Sequence, residues 1–171
     1  MVSQSTIEIV KATAPIIREK GEEITRRMYQ IAFEERPDYK RSFKTTWMQH
    51  LDGGPQSRKL AAAVYAYATH IDRLDELAKA VDKIGRRHVE LRILPEQYPL
   101  IGEKLLQAMK DVLQDAATDE VISAWAEAYD ALANIFIQKE TTIYKQEDQE
   151  LTERLASANN LTLVHQTDQS R

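Results

Sequence analysis

The sequence predicts an all-α fold built as one domain, and three observations predict it. Apolar residues recur three or four positions apart along most of the chain, the period that lines one face of a helix. The five glycines and five prolines fall between such stripes rather than between alternating strands. At 171 residues the chain fills one core well and is too short for two comfortable domains.

The elements follow in chain order. Ser5 and Glu8 have the spacing of a capping box, and Ile7, Val10 and Ile17 give a first amphipathic helix with Pro15 as a possible bend. Gly21 is expected to separate it from a second helix carrying Ile24, Met28, Tyr29, Ile31, Ala32 and Phe33, and the chain then turns at Pro37 before Phe43. From Lys44 to Pro55 no period holds, and Asp52-Gly53-Gly54-Pro55 reads as a loop. Gln56, Leu60, Ala63, Val64, Tyr67 and Ile71 make the next stripe. Asp72 or Asp75 begins a helix that ends at His88. Pro95 or Glu96 opens another, with Tyr98, Ile101, Leu105, Met109 and Val112 or Leu113 on one side. Thr118 is the expected N-cap of the last long helix, with Asp119 and Glu120 suiting the positive end of its dipole. Its stripe runs Val121, Trp125, Ala128, Leu132, Ile135, Phe136, Glu140 and Ile143. Beyond Tyr144 the chain turns polar and amide-rich. There Leu151, Leu155 and Ala158 either prolong the helix or belong to a mobile tail, and Leu161 to Val164 are placed to dock on the body.

Composition excludes several classes of function. Twenty-three basic against 27 acidic residues leave a net charge of -4, with no basic cluster interleaved with aromatics, so nucleic-acid binding has no electrostatic footprint. Charges interrupt every apolar stretch, and no membrane span is expected. Met1-Val2-Ser3-Gln4-Ser5 runs into Glu8 and Lys11 with no apolar core of a secretory signal, which makes the cytoplasm the expected location. Without cysteine there is no disulfide, thiolate catalysis or iron–sulfur ligation, so metal chemistry must use His, carboxylates or a prosthetic group.

His88 is the candidate ligand. It closes the stripe Ile71, Leu74, Leu77, Val81 and Ile84, and a ring nitrogen on an apolar face, followed by a tight turn and another helix, suits iron in a dry pocket. A ligating histidine needs an acceptor for its other N–H, and Tyr98 and Glu140 are candidates for that role. Tyr29 and Gln56 are placed to donate into the same cavity, where hydrogen bonds to a bound gas gain strength from the low dielectric. Taken singly, each has an ordinary alternative: a core histidine satisfied by a carbonyl, a packed tyrosine, an exposed glutamine or an exposed glutamate near a helix end. His50, His70 and His165 form no i, i+4 pair, and adjacent acidic pairs such as Glu22-Glu23 and Glu34-Glu35 diverge on helices.

Longer motifs tie these residues together. Ile84-Gly85-Arg86-Arg87-His88, then Pro95-Glu96-Gln97-Tyr98-Pro99-Leu100-Ile101-Gly102-Glu103 and Leu105-Leu106, closely resemble the proximal region of bacterial flavohaemoglobins and single-domain haemoglobins of the Vitreoscilla type. Asp111-Val112-Leu113, Asp115-Ala116-Ala117-Thr118-Asp119, Ala124-Trp125, Ala128-Tyr129 and Ile135-Phe136-Ile137 continue the likeness, and Lys11-Ala12-Thr13 with Pro15, Tyr29, Phe33 and Phe43 match its beginning.

The resemblance implies a globin fold over 1–146 with a C-terminal extension over 147–171, and a haem b (iron protoporphyrin IX) cofactor. It implies His88 as the iron ligand, Glu140 and Tyr98 as its hydrogen-bonding partners, Phe43 packed on the haem, Tyr29 and Gln56 as donors to the bound gas, and Leu60 crowding it. The loop between Phe43 and Gln56 is longer than is usual in that family. Glycines only at 21, 53, 54, 85 and 102 leave no dinucleotide fingerprint, so the expectation is a single-domain haemoglobin, monomer or homodimer, or else a globin domain cut from a larger protein, with the polar tail favouring the former. Its implied ligands are O2, NO and CO. Its implied activity is nitric oxide dioxygenation to nitrate with a separate NAD(P)H-dependent flavin reductase; oxygen storage or delivery and haem-based gas sensing are the alternatives.

Overall fold

Ser3, not Ser5, starts the first helix: its hydroxyl accepts from the Thr6 N–H, and α1 runs unbroken over Gln4–Glu35. The computed structural model describes the main chain of residues 2–43 and 54–168, and the side chains of 2–40 and 54–158. A 3-10 segment, Pro37–Phe43, follows α1. Then come α2 (Pro55–His70), a 3-10 turn at Leu74–Leu77, α3 (Ala78–Glu90), α4 (Gln97–Leu113), a short turn at Gln114–Ala116 and α5 (Asp119–Asp168). The expected loop lies, over 44–53, outside the described residues, as does the Phe43 side chain. Among the described residues there is no strand, and no helix is long and apolar enough to cross a membrane.

Gly21 does not end a helix. It lies inside α1, where a Cβ would stand 3.3 Å from the Ala61 Cβ on α2, so its lack of a side chain serves a close helix crossing. Four residues on, Thr25 and Ser57 are both fully buried, and the Thr25 hydroxyl donates to the Ser57 carbonyl at 2.8 Å. Small residues on both helices bring the start of α2 against the middle of α1. Tyr29 and Gln56 thereby share one region.

The main core joins Val10, Ile17, Ile24 and Met28 of α1 to Leu105, Ala108 and Met109 of α4 and to Ala124, Trp125 and Ala128 of α5. Polar side chains bind α5 to its neighbours: Trp125 Nε1 donates to Thr13 Oγ1 at 3.0 Å, and the Tyr67 hydroxyl donates to the Ala128 carbonyl at 2.8 Å. A smaller cluster of Tyr98, Ala133 and Phe136, with Val81 and Ile84 against it, sits under α3. Thr118 caps α5, its hydroxyl accepting from Val121 N–H at 3.3 Å.

Candidate functional site

His88 lies in the last turn of α3, and the way that helix stops fixes its place. The Ile93 N–H donates to the His88 carbonyl and the Arg92 N–H to the Val89 carbonyl, both at 3.0 Å, with Arg92 at φ 56°. This is a Schellman ending with arginine in the left-handed position that glycine usually takes. The chain then reverses through Pro95 into α4, which brings Tyr98 under the imidazole.

Three side chains from three helices meet there. His88 Nδ1 stands 2.8 Å from Glu140 Oε1 and 2.8 Å from the Tyr98 hydroxyl oxygen, while that hydroxyl donates to the same Oε1 at 2.5 Å. Burial and the neighbouring Glu140 push the Tyr98 phenol well above its ordinary range, so it stays protonated and remains a donor. With the tyrosine proton directed at Glu140, Nδ1 carries its own hydrogen and donates, which leaves the lone pair on Nε2. Glu140 is 1% exposed and its second oxygen, Oε2, is buried without a hydrogen-bond partner among the described residues. A buried carboxylate of this kind is costly, and two donors on Oε1 offset part of that cost. The ring itself packs on Phe136, with centroids 5.3 Å apart, and keeps 28% of its side-chain surface exposed.

On the other side, Tyr29 is buried and stacks on Phe33 at 5.6 Å between centroids. Burial raises its phenol strongly, and a side-chain hydrogen bond with Gln56 partly opposes the rise. The hydroxyl therefore stays neutral and retains its proton. Gln56 is half-buried in the first turn of α2 and Leu60 is half-buried one turn further on.

The arrangement fits a flat apolar prosthetic group. α2 packs chiefly on α1 and α3 chiefly on α5. Leu60 and Val64 of α2, and Val81 and Ile84 of α3, stay half-buried instead of closing over one another. A lone pair on Nε2 and accessible apolar side chains on two helices are the donor set and walls that haem requires. Among the described residues no cluster of His, Asp and Glu forms a separate metal site.

The structure thus brings together His88, Tyr98 and Glu140 as one set and Tyr29 with Gln56 as another. Two residues, the buried Ser57 and the half-buried Tyr129, escaped the sequence reading of the site. Ser57 was hidden beside Gln56. Tyr129 stands one turn before Ala133 on the face that leads to Phe136 and Glu140, and the spacing 129, 133, 136, 140 was the available signal.

The chain belongs to the globin family, whose model matches residues 26–136. It is 45% identical over 148 residues to a flavohemoprotein of Halalkalibacterium halodurans, covering 86% of this chain and 35% of that protein. It is 44% identical to an uncharacterized globin-like protein of Aquifex aeolicus, covering 85% of this chain and 99% of that one. Among solved structures it is similar to the flavohemoglobin of Malassezia yamatoensis with bound FAD and heme, with a TM-score of 0.74 and 28% identity over 85% of this chain and 38% of the other. The chain spans about a third of the length of the flavohemoproteins it matches.

Proposed function

We propose that this globin holds haem b through His88 Nε2, binds O2, NO and CO, and converts nitric oxide to nitrate with electrons from a separate NAD(P)H-dependent flavin reductase. One observation carries the proposal: Nδ1 of His88 donates to a buried carboxylate that is also held by Tyr98. Haem, when bound, supplies the site for a diatomic gas and the one-electron change that the reaction needs. An acceptor carboxylate makes the imidazole more electron-rich and Nε2 a stronger donor, which favours the oxidised metal. Tyr29 and Gln56 would supply hydrogen-bond donors toward a gas in the pocket, and Leu60 would crowd it. One nitric oxide, one dioxygen and one electron together give one nitrate.

Haem-loaded protein with a flavin reductase, NADH, oxygen and nitric oxide should form nitrate over many turnovers. A single burst that no reductase renews would remove turnover from the proposal. His88→Ala should lose haem absorbance while its circular dichroism stays helical, and unchanged absorbance would overturn the ligand assignment. A second reading, oxygen storage or delivery, draws on the Tyr29 and Gln56 pair, which would slow oxygen release. A stable oxygenated form that reacts slowly with nitric oxide would favour it.

A further inference from the structure

The half-buried Tyr129 of α5 reaches the backbone of α4. Its hydroxyl donates to the main-chain carbonyl of Tyr98 at 2.7 Å and lies beside the Gly102 N–H. Those are the two groups that an α-helix bonds to each other, residue i to residue i−4, in the first turn of α4. The hydroxyl therefore sits astride the backbone of the very residue whose side chain donates to Glu140.

Gly102 is what lets it in. A Cβ at that position would lie 2.3 Å from Tyr129 Cε1 and 2.6 Å from Cδ1, so the aromatic ring occupies the space of the missing side chain. Gly102 is buried, as an exposed helical glycine would not be, and its cost in helix propensity has a structural return here. Tyr129 also belongs to both apolar clusters, packing against the main core and against the Tyr98, Ala133 and Phe136 group. On α5 it shares a face with Ala133, Phe136 and Glu140, at steps of four, three and four residues. One helix face thus sets both the carboxylate that His88 uses and the main chain of the tyrosine that shares it.

From this geometry we infer that Tyr129 is a positioning residue: by clamping the Tyr98 main chain through the gap at Gly102, it sets the Tyr98–Glu140 contact and hence the electron donation of His88. The inference rests on the haem reading above. Without the clamp, the first turn of α4 is free to shift. The Tyr98 hydroxyl then leaves Glu140 or lengthens its bond, and Glu140 holds the His88 proton differently.

The test uses the 171-residue chain loaded with haem. Tyr129→Phe keeps the ring over Gly102 and deletes only the hydroxyl. The iron–histidine stretching band of the reduced protein should move to lower frequency and the reduction potential should rise, each by part of the change that Glu140→Gln produces. Combined with Tyr98→Phe, Tyr129→Phe should add little, because its effect passes through the Tyr98 hydroxyl. An unchanged band and potential, or an effect fully additive with Tyr98→Phe, would overturn the inference. Gly102→Ala pushes the same ring from the other side and should move band and potential in the same direction; it decides the matter if Tyr129→Phe does not accumulate, and no shift in it is likewise fatal. Failure of the unaltered chain to take up haem would instead count against the His88 ligand assignment, and a shift absent only from the Tyr129 and Gly102 variants counts against the clamp alone.

Discussion

Glu140 accepts from His88 and Tyr98 on the same oxygen, at 2.8 and 2.5 Å, and leaves its other oxygen buried and without a hydrogen-bond partner among the described residues. A carboxylate so placed acts on the imidazole through its charge as much as through its hydrogen bond. Glu140→Gln keeps the volume and one acceptor oxygen but removes the charge. The reduction potential of the haem-loaded protein should rise, because the negative partner that favours oxidised iron is gone. A loss of about 1.4 kcal/mol corresponds to about 59 mV for one electron, so a rise on the order of 60 mV is expected by spectroelectrochemistry. A potential equal to that of the unaltered protein would show that the carboxylate does not tune the imidazole.

Arg92 ends α3 at φ 56° while its guanidinium lies 5.8 Å from the Tyr144 ring centroid on α5. Holding a residue with a Cβ in the left-handed region costs about 1–2 kcal/mol, and an exposed cation–π contact returns about 0.5–1 kcal/mol. Arg92→Ala loses the contact and keeps the strain, whereas Arg92→Gly loses both. Arg92→Gly should therefore be more stable than Arg92→Ala by about 1 kcal/mol in urea unfolding. Equal midpoints would mean that the turn after His88 stores no strain.

How far the sequence revealed these features depends on which physical signal each one leaves. The stripe ending at His88 was readable because burial on a helix repeats every three or four residues, and the pairing of His88 with Tyr98 and Glu140 could be expected because a polar group on an apolar face needs a partner. Gly21 misled, since glycine ends helices and also permits them to touch, and only the position of Ala61 on another helix distinguishes the two. Ser5 reads as the cap because Glu8 completes the spacing of a capping box. The observed cap, Ser3, is instead supported by Glu127, which lies 124 residues away in sequence. Tyr129 and Gly102 make sense only as a pair across α4 and α5, and no local pattern in the chain marks such a pair.

Glu127 supports the start of α1. Its carboxylate accepts from the Ser3 N–H at 2.7 Å, from the Ser3 hydroxyl at 2.9 Å and from the Thr6 hydroxyl. The hydrogen bond from Thr6, followed by those from Ser3, holds its carboxyl below the ordinary value of 4.5. A carboxyl with a depressed folded value adds stability that is fully present above about 4.5 and is lost as pH falls through the folded value. Glu127→Gln should therefore lower the urea midpoint at pH 7, and the gap between variant and unaltered protein should close as the pH drops below 4. A gap of constant size down to pH 3 would show that the carboxylate's charge contributes nothing there.

The last helix changes character along its length. Trp125, Ala128, Phe136, Glu140 and Ile143 are buried, Tyr144 is half-buried, and from 145 to 158 every residue is exposed. Leu151 and Leu155 expose 54% and 58% of their surface one turn apart. Helical stability in water comes mostly from packing, and isolated helices shorter than about 12–15 residues are marginal. Apart from a 3.9 Å ion pair between Arg92 and Glu147, the stretch over 145–158 is thus held by local bonds and opens by fraying, whereas the stretch around Trp125 to Glu140 opens only when the domain does. Amide hydrogen exchange should be faster at 149–158 than at 125–140 by roughly a thousandfold or more, as a global stability of about 5 kcal/mol or above implies. Truncation after residue 146 should, for the same reason, leave the cooperative thermal transition in place. Comparable protection along the whole of α5 would reverse that view: Leu151 and Leu155 would then be covered in solution, and the boundary at 146/147 would not separate a folded body from an extension.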